Sequence, residues 1–162
     1  MELNKREKEI AMQNIIMEPI GYVHNRVHVK KDTAWGEDVS AIVLKEEYCG
    51  GLRGLEDFSH AVILCYLDKA HYVREKHLCR RPQGREDMPV VGIFSQRTKD
   101  HPNTIGVTAV QILAVEECTL TVKGLDAMDG TPVLDIKPYY PVFDKREADV
   151  PEWVDRLMTQ YF

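Results

Sequence analysis

Long apolar runs are missing from this chain: no stretch approaches the roughly 20 residues that a membrane-spanning helix needs. The opening segment, MELNKREKEIAMQN, is charged and lacks an apolar centre, so it supplies no export signal. Nucleotide fingerprints are missing too. No G-x-G-x-x-G follows a strand, no G-x-x-x-x-G-K-S/T occurs, and the glycines at Gly50, Gly51 and Gly54 have the wrong spacing. A doubly wound nucleotide-binding domain is thereby disfavoured. The four cysteines, Cys49, Cys65, Cys79 and Cys118, include no short-spaced pair. Cys65 and Cys118 fall inside apolar strand patterns, which predicts reduced thiols and a cytoplasmic home. Metal spacing is equally poor, so a metal site is not expected: His24 and His28 need not share a face, and His71, His77 and Cys79 have no acidic partner at a recognised distance. No repeat, low-complexity tract or linker breaks the chain, so residues 1–162 read as one domain.

What is present suits a folded globular protein. Of 162 residues, 44% are hydrophobic and 29% charged, enough to bury a core without metals or disulfides. The net charge of −5 opposes non-specific attraction to nucleic acid. Local charge runs the other way. Arg74, Lys76, His77, Arg80, Arg81 and Arg85 crowd together, and Arg97, Lys99 and His101 follow. The cluster reads either as a solvated charged loop or as an RNA-contacting surface.

Strand signals dominate. They fall at Pro19 to about Val23, Asp38–Leu44, Phe58–Leu67, Pro89–Ser95, Ile105–Val115, Thr119–Leu125 and Pro132–Ile136. Lys45–Asp57 reads as a turn with a short helix, and Asp68–Met88 as a polar loop longer than most connections. The first dozen residues suggest a polar helix or frayed arm. After Pro151, Trp153, Val154, Leu157, Met158 and Tyr161 share one helical face. Closely spaced strands without intervening helices predict a mainly β fold with peripheral helices, closed into a small antiparallel or mixed barrel.

Three segments carry chemistry. GIFSQRTKDHPNTIGVT (Gly92–Thr108) and GLDAMDGTPVLDIKPYYP (Gly124–Pro141) each run from an apolar strand into a polar loop fixed by proline or glycine. A guanidinium at a strand end, such as Arg97, can grip a carboxylate or phosphate in a fork, or form a surface ion pair with Asp100. Asp126-Ala127-Met128-Asp129-Gly130-Thr131 reads by itself as a tight Asp-Gly turn. Tyr139 suits either base stacking or the core.

With GLRGLEDFSHAVILCYL (Gly51–Leu67), these segments resemble the TsaA-like, or TrmO-type, tRNA methyltransferases from roughly Pro19 to Asp144. Arg97 stands where the family carries the arginine of F-A-T-R-S. Pro102–Gly106 stands for P-N-P-I-G, Asp126–Thr131 for D-L-L-D-G-T, and Asp135–Tyr139 matches D-I-K-P-Y unchanged. The resemblance implies a β-barrel enzyme that uses S-adenosylmethionine to methylate an exocyclic nitrogen of threonylcarbamoyl-adenosine next to the anticodon. It implies a homodimer acting on tRNA. Arg97, Val107, Asp126, Ala127, Met128, Asp129, Gly130 and Thr131 would then form the cofactor site, with Trp35, Asp68 and Lys69 as further contacts. Lys99, His101, Asn103, Lys137 and Tyr139 would face the substrate, joined by Arg80 and Arg81 from the basic loop. Asp126 is the candidate general base by location, with Asp129 and Asp135 as alternatives.

Departures from the family pattern bear on the substrate. His101 replaces an arginine, Thr104 replaces the second proline and should loosen the turn, and Ala34-Trp35-Gly36 replaces an Arg-Gln pair. With the acidic charge, they keep two alternatives open: methyl transfer to a small molecule or another RNA, and a non-catalytic nucleotide- or RNA-binding barrel.

Overall fold

A computed structural model describes residues 14–31, 33–159 and 161. Its strands are β1 (Gly21–His24), β2 (Val39–Leu44), β3 (His60–Tyr66), β4 (Cys79–Arg80), β5 (Val91–Gly92), β6 (Ile105–Glu116), β7 (Thr119–Lys123) and β8 (Pro132–Pro138). Short helices are α1 (Arg74–His77), α2 (Pro141–Asp144) and α3 (Glu152–Met158).

Alternation decides the architecture. β2 buries Ser40, Ile42 and Leu44, β3 buries Ala61, Ile63 and Cys65, and β7 buries Leu120 and Val122. Because side chains on a strand point to opposite faces in turn, each of these strands gives one face to a shared interior. The result is a closed barrel in the order β1-β2-β7-β6-β3-β8, with β8 pairing back onto β1 and every ladder antiparallel. Val23, Ile42, Ile63, Val110, Leu120, Val122 and Val133 fill it. The predicted barrel is therefore present.

Strand direction gives the barrel two distinct ends. His24 pairs with Ala41, Tyr66 with Ile105 and Val39 with Lys123, so the loops after β1, β3 and β7 emerge together at one end. Gly21 pairs with Leu44 and Val43 with Thr119 at the other.

Residues 68–104 leave the barrel after β3 and return at β6, where the Leu67 amide donates to the Thr104 carbonyl at 2.8 Å. This excursion is not a bare loop, since it carries α1 and the β4–β5 ribbon. The strand expected over Pro89–Ser95 is only β5 followed by a 3-10 turn at Ile93–Ser95. Its partner β4 has two residues, too short to extend the ladder; the turn buries Ile93 and leaves Phe94 82% exposed. The first thirteen residues, expected as a helix or arm, lie outside the described set.

One cysteine expectation needs correction. Cys49 and Cys118 are joined in a disulfide with their Cα atoms 4.5 Å apart, so Cys118 is not a reduced strand thiol. It lies in the β6–β7 turn beside Leu44, whose amide donates to its carbonyl, and this end of the barrel brings it onto the 3-10 turn carrying Cys49. Spacing could not show the pairing, because 69 residues separate the partners. Cys65 remains a free buried thiol and Cys79 a free exposed one.

Candidate functional site

The loop after β7 is built around a turn. The Thr131 amide donates to the Met128 carbonyl at 3.1 Å, and Gly130 adopts φ 81°, a left-handed backbone that a side chain would strain. The Asp-Gly turn that the sequence suggests is thus present, and the loop after β1 fastens it. The Asp129 and Gly130 amides donate to the Val27 and Val23 carbonyls at 2.9 and 2.8 Å. Asn25 is the central clasp. Its Nδ2 donates to Ser40 Oγ at 2.9 Å and to the Ala127 carbonyl at 2.8 Å, its Oδ1 accepts from the Val27 amide, and its own amide donates to Asp129 Oδ1 at 3.1 Å. Lys69 reaches in from beyond β3, with Nζ 3.1 Å from the Asp129 carbonyl.

Asp126 lies half-buried at the start of this loop. One carboxylate oxygen accepts from the hydroxyl of Thr108 on β6, and the other from the Tyr161 phenol at 2.8 Å. Beneath it, Cys65 is buried and its thiol is pushed up to about 12, first by loss of hydration and then by the Asp126 charge. Trp35 is 5% exposed, with Lys31 Nζ 4.6 Å from its ring centroid; its amide donates to the Tyr161 carbonyl at 3.0 Å.

Arg97 is exposed and donates to the Val107 carbonyl at 2.6 Å, one residue from Thr108. Asp100, its other anticipated partner, instead binds Arg80 at 3.3 Å, with His77 and Lys99 each 4.0 Å away. Val107 has an outward side chain on β6, and Asp68 is exposed beside Lys69.

The expected substrate residues are dispersed. Lys137 is on β8, paired with Asp135 at 2.8 Å, and the Tyr139 ring lies 6.2 Å from His60, at the barrel end away from the Asp126 loop. His101 Nε2 lies 2.8 Å from the Gln96 carbonyl, and Asn103 is exposed in the turn before β6. Thr104 does not loosen that turn. Its amide donates to the His101 carbonyl at 3.1 Å with φ 43°, and a proline offers neither that N–H nor that φ. In the basic excursion, Arg80 also binds Thr98, Arg81 donates to the Met88 carbonyl, and Arg85 pairs with Asp87 at 2.7 Å. Arg80 Nε is buried without a partner.

Asn25, Ser40 and Thr108 went unnoticed in the sequence, and Tyr161 was read only as part of a helical face. Thr108 had a signal, as a polar residue at an inward position of an apolar strand. Tyr161 does not share the helical face expected for it: α3 ends at Met158, and the residue instead meets Asp126, 35 residues away in sequence. Among the described residues, no group of three or more His, Cys, Asp or Glu side chains is placed to hold a metal. The other end of the barrel carries a depression of about 490 Å³ lined by Leu52, Arg53, Glu56, Val115 and the disulfide. It is remote from the loop cluster.

A closed six-stranded barrel with three interlocked loops at one mouth is a β-barrel domain rather than a Rossmann-type one. The chain belongs to the family described as the tRNA-methyltransferase O N-terminal domain, which it matches over residues 22–145. It is 37% identical over 134 residues to an S-adenosyl-L-methionine-binding protein of Archaeoglobus fulgidus, covering 80% of this chain and 93% of that one. It is 33% identical over 140 residues to the mouse tRNA (adenine(37)-N6)-methyltransferase, covering 81% of this chain and 32% of that one. Its fold matches the crystal structure of TrmO from Pseudomonas aeruginosa with a TM-score of 0.69 at 26% identity, over 89% of this chain and 63% of that chain. The chain therefore spans less than two thirds of that solved structure, and about a third of the mouse enzyme.

Proposed function

We propose that this protein is an S-adenosyl-L-methionine-dependent tRNA methyltransferase, acting on the exocyclic nitrogen of threonylcarbamoyl-adenosine beside the anticodon. The observation that carries the reading is the Asp126–Thr131 loop, clasped by Asn25 and Lys69 at the barrel mouth. It occurs in a chain 37% identical to a protein named for binding this cofactor. The donor set fits such a ligand. Carboxylates at Asp126 and Asp129 suit hydroxyl, amino or sulfonium groups, and the Arg97 guanidinium suits an aminoacyl carboxylate. Trp35, Asp68 and Val107 are further cofactor contacts in this reading.

When bound, the cofactor supplies an electrophilic methyl group. The chain's residues have the remaining tasks: aligning the acceptor nitrogen, excluding water and taking up its proton. Asp126 is our candidate for that last role. Lys99, His101 and Asn103 bound the approach on the Arg97 side. Lys137 and Tyr139 extend the substrate surface along the barrel in this reading. A homodimer is supported by the outward face of β3 and β6, where Tyr66, Ile105, Val107 and Leu113 are 38–46% exposed. No helix among the described residues is long and apolar enough to cross a membrane. A cytoplasmic location follows from the tRNA acceptor; the Cys49–Cys118 disulfide removes part of the thiol argument for it.

One observation favours a second reading, transfer to a small molecule or another RNA. Arg80, Arg81 and Arg85 are engaged within the chain, and the net charge is −5. Labelled S-adenosylmethionine, incubated with the protein and tRNA from cells lacking the methylated nucleoside, separates the two. Methylated threonylcarbamoyl-adenosine in the digest supports the first. Cofactor binding without transfer to tRNA supports the second.

A further inference from the structure

We infer that Tyr161 is a positioning residue for Asp126, supplied by a segment outside the family-matched barrel; this rests on reading the Asp126–Thr131 loop as the cofactor site. The match ends at residue 145, so α3 and Tyr161 lie beyond it. Yet the chain returns to the mouth. The Tyr161 amide donates to the Met158 carbonyl at 3.1 Å, and its carbonyl accepts from Trp35 at 3.0 Å. Its phenol donates to Asp126 Oδ2 at 2.8 Å. Arg156 on α3 donates to the Asp87 carbonyl at 3.4 Å, bracing the helix on the excursion.

The chemistry of the two donors matters. Thr108 holds one carboxylate oxygen and Tyr161 the other, so rotation of the group is restrained from both sides. Both donors are uncharged hydroxyls. They orient the carboxylate without cancelling its charge, as a lysine or arginine would, and each oxygen retains a lone pair for an incoming donor. A carboxylate held by two neutral donors at a barrel mouth suits a cationic or hydroxyl-bearing ligand. Tyr161 thereby contributes to the site without being part of the barrel.

The test is a double-mutant cycle on Tyr161→Phe and Asp126→Asn, read by S-adenosylmethionine calorimetry and by thermal melting without cofactor. Tyr161→Phe keeps the ring and should raise the Kd at least fivefold in the parent, and less than twofold in the Asp126→Asn background. The melting shift should be non-additive in the same way. Unchanged or tighter binding in Tyr161→Phe, or additive effects of the two substitutions, would overturn the inference. A parent that binds no S-adenosylmethionine would defeat the cofactor reading instead. The melting cycle still decides in that case: additivity overturns the Tyr161–Asp126 link, and coupling supports it.

Discussion

Cys65 shows how one buried side chain connects the core with the site. Its folded-state pKa of about 12 exceeds the ordinary 9.0, so the folded protein holds this proton more tightly than the unfolded chain. Stability from this group is complete below pH 9 and is lost as pH rises towards 12, at about 1.4 kcal/mol per unit. Urea unfolding at pH 8 and 10 should therefore show a loss in the parent that is absent from Cys65→Ala. At the same scale, Arg97→Ala should weaken S-adenosylmethionine binding by about 1.5–3 kcal/mol if the guanidinium holds the ligand's carboxylate. Calorimetry on the folded variant checks this, and unchanged affinity would leave Arg97 with only its bond to Val107. Asn25→Ala has a different expected signature. It strips donors from Ser40 and the Ala127 carbonyl, and should cost about 1–3 kcal/mol in chemical denaturation.

Among the elements, the disulfide closes the barrel end opposite Asp126. Reduction, or Cys49→Ser, should lower stability by about 2–4 kcal/mol and leave cofactor affinity unchanged, because the clasped loops lie at the other mouth. Melting and calorimetry with and without dithiothreitol separate the two effects. Elements with local causes were legible in the sequence. Alternation located β2, a continuous apolar run rich in β-branched residues located β3, strand signals placed β6, β7 and β8, and the Asp-Gly pair located the turn at Gly130. The illegible parts depend on partners far along the chain. β5 is short because β4 is short, Cys49 meets Cys118 only once the barrel closes, and Tyr161 meets Asp126 only after α3 returns to the mouth. The basic run reads as a single patch in sequence. In space, Arg80, Arg85 and Arg81 are divided among Asp100, Asp87 and the Met88 carbonyl respectively.

At the scale of the molecule, that division changes which charges should be removed to test RNA contact. Lys76 on α1 and Lys99 are exposed, whereas Arg80 neutralises the mostly buried Asp100. Neutralising Lys76 and Lys99 together should weaken tRNA binding and flatten its salt dependence by up to about two phosphate contacts, with cofactor affinity unchanged. Filter binding across a salt series reads both, and an unchanged slope would return the excursion to being a solvated surface. Arg80→Ala should instead lower the melting temperature, because it removes the nearest counter-charge of Asp100.

The return of the chain to the barrel mouth also has an architectural consequence. A passenger spliced directly behind Tyr161 would be delivered to the doorway of the Asp126 loop, at an address chosen by α3. One inserted between Gly50 and Gly51 would hang from the opposite pole, next to the disulfide. A bulky fluorescent domain should block the entrance from the first position and leave it open from the second, so the fold offers its appendages two seats with opposite effects on traffic into the barrel.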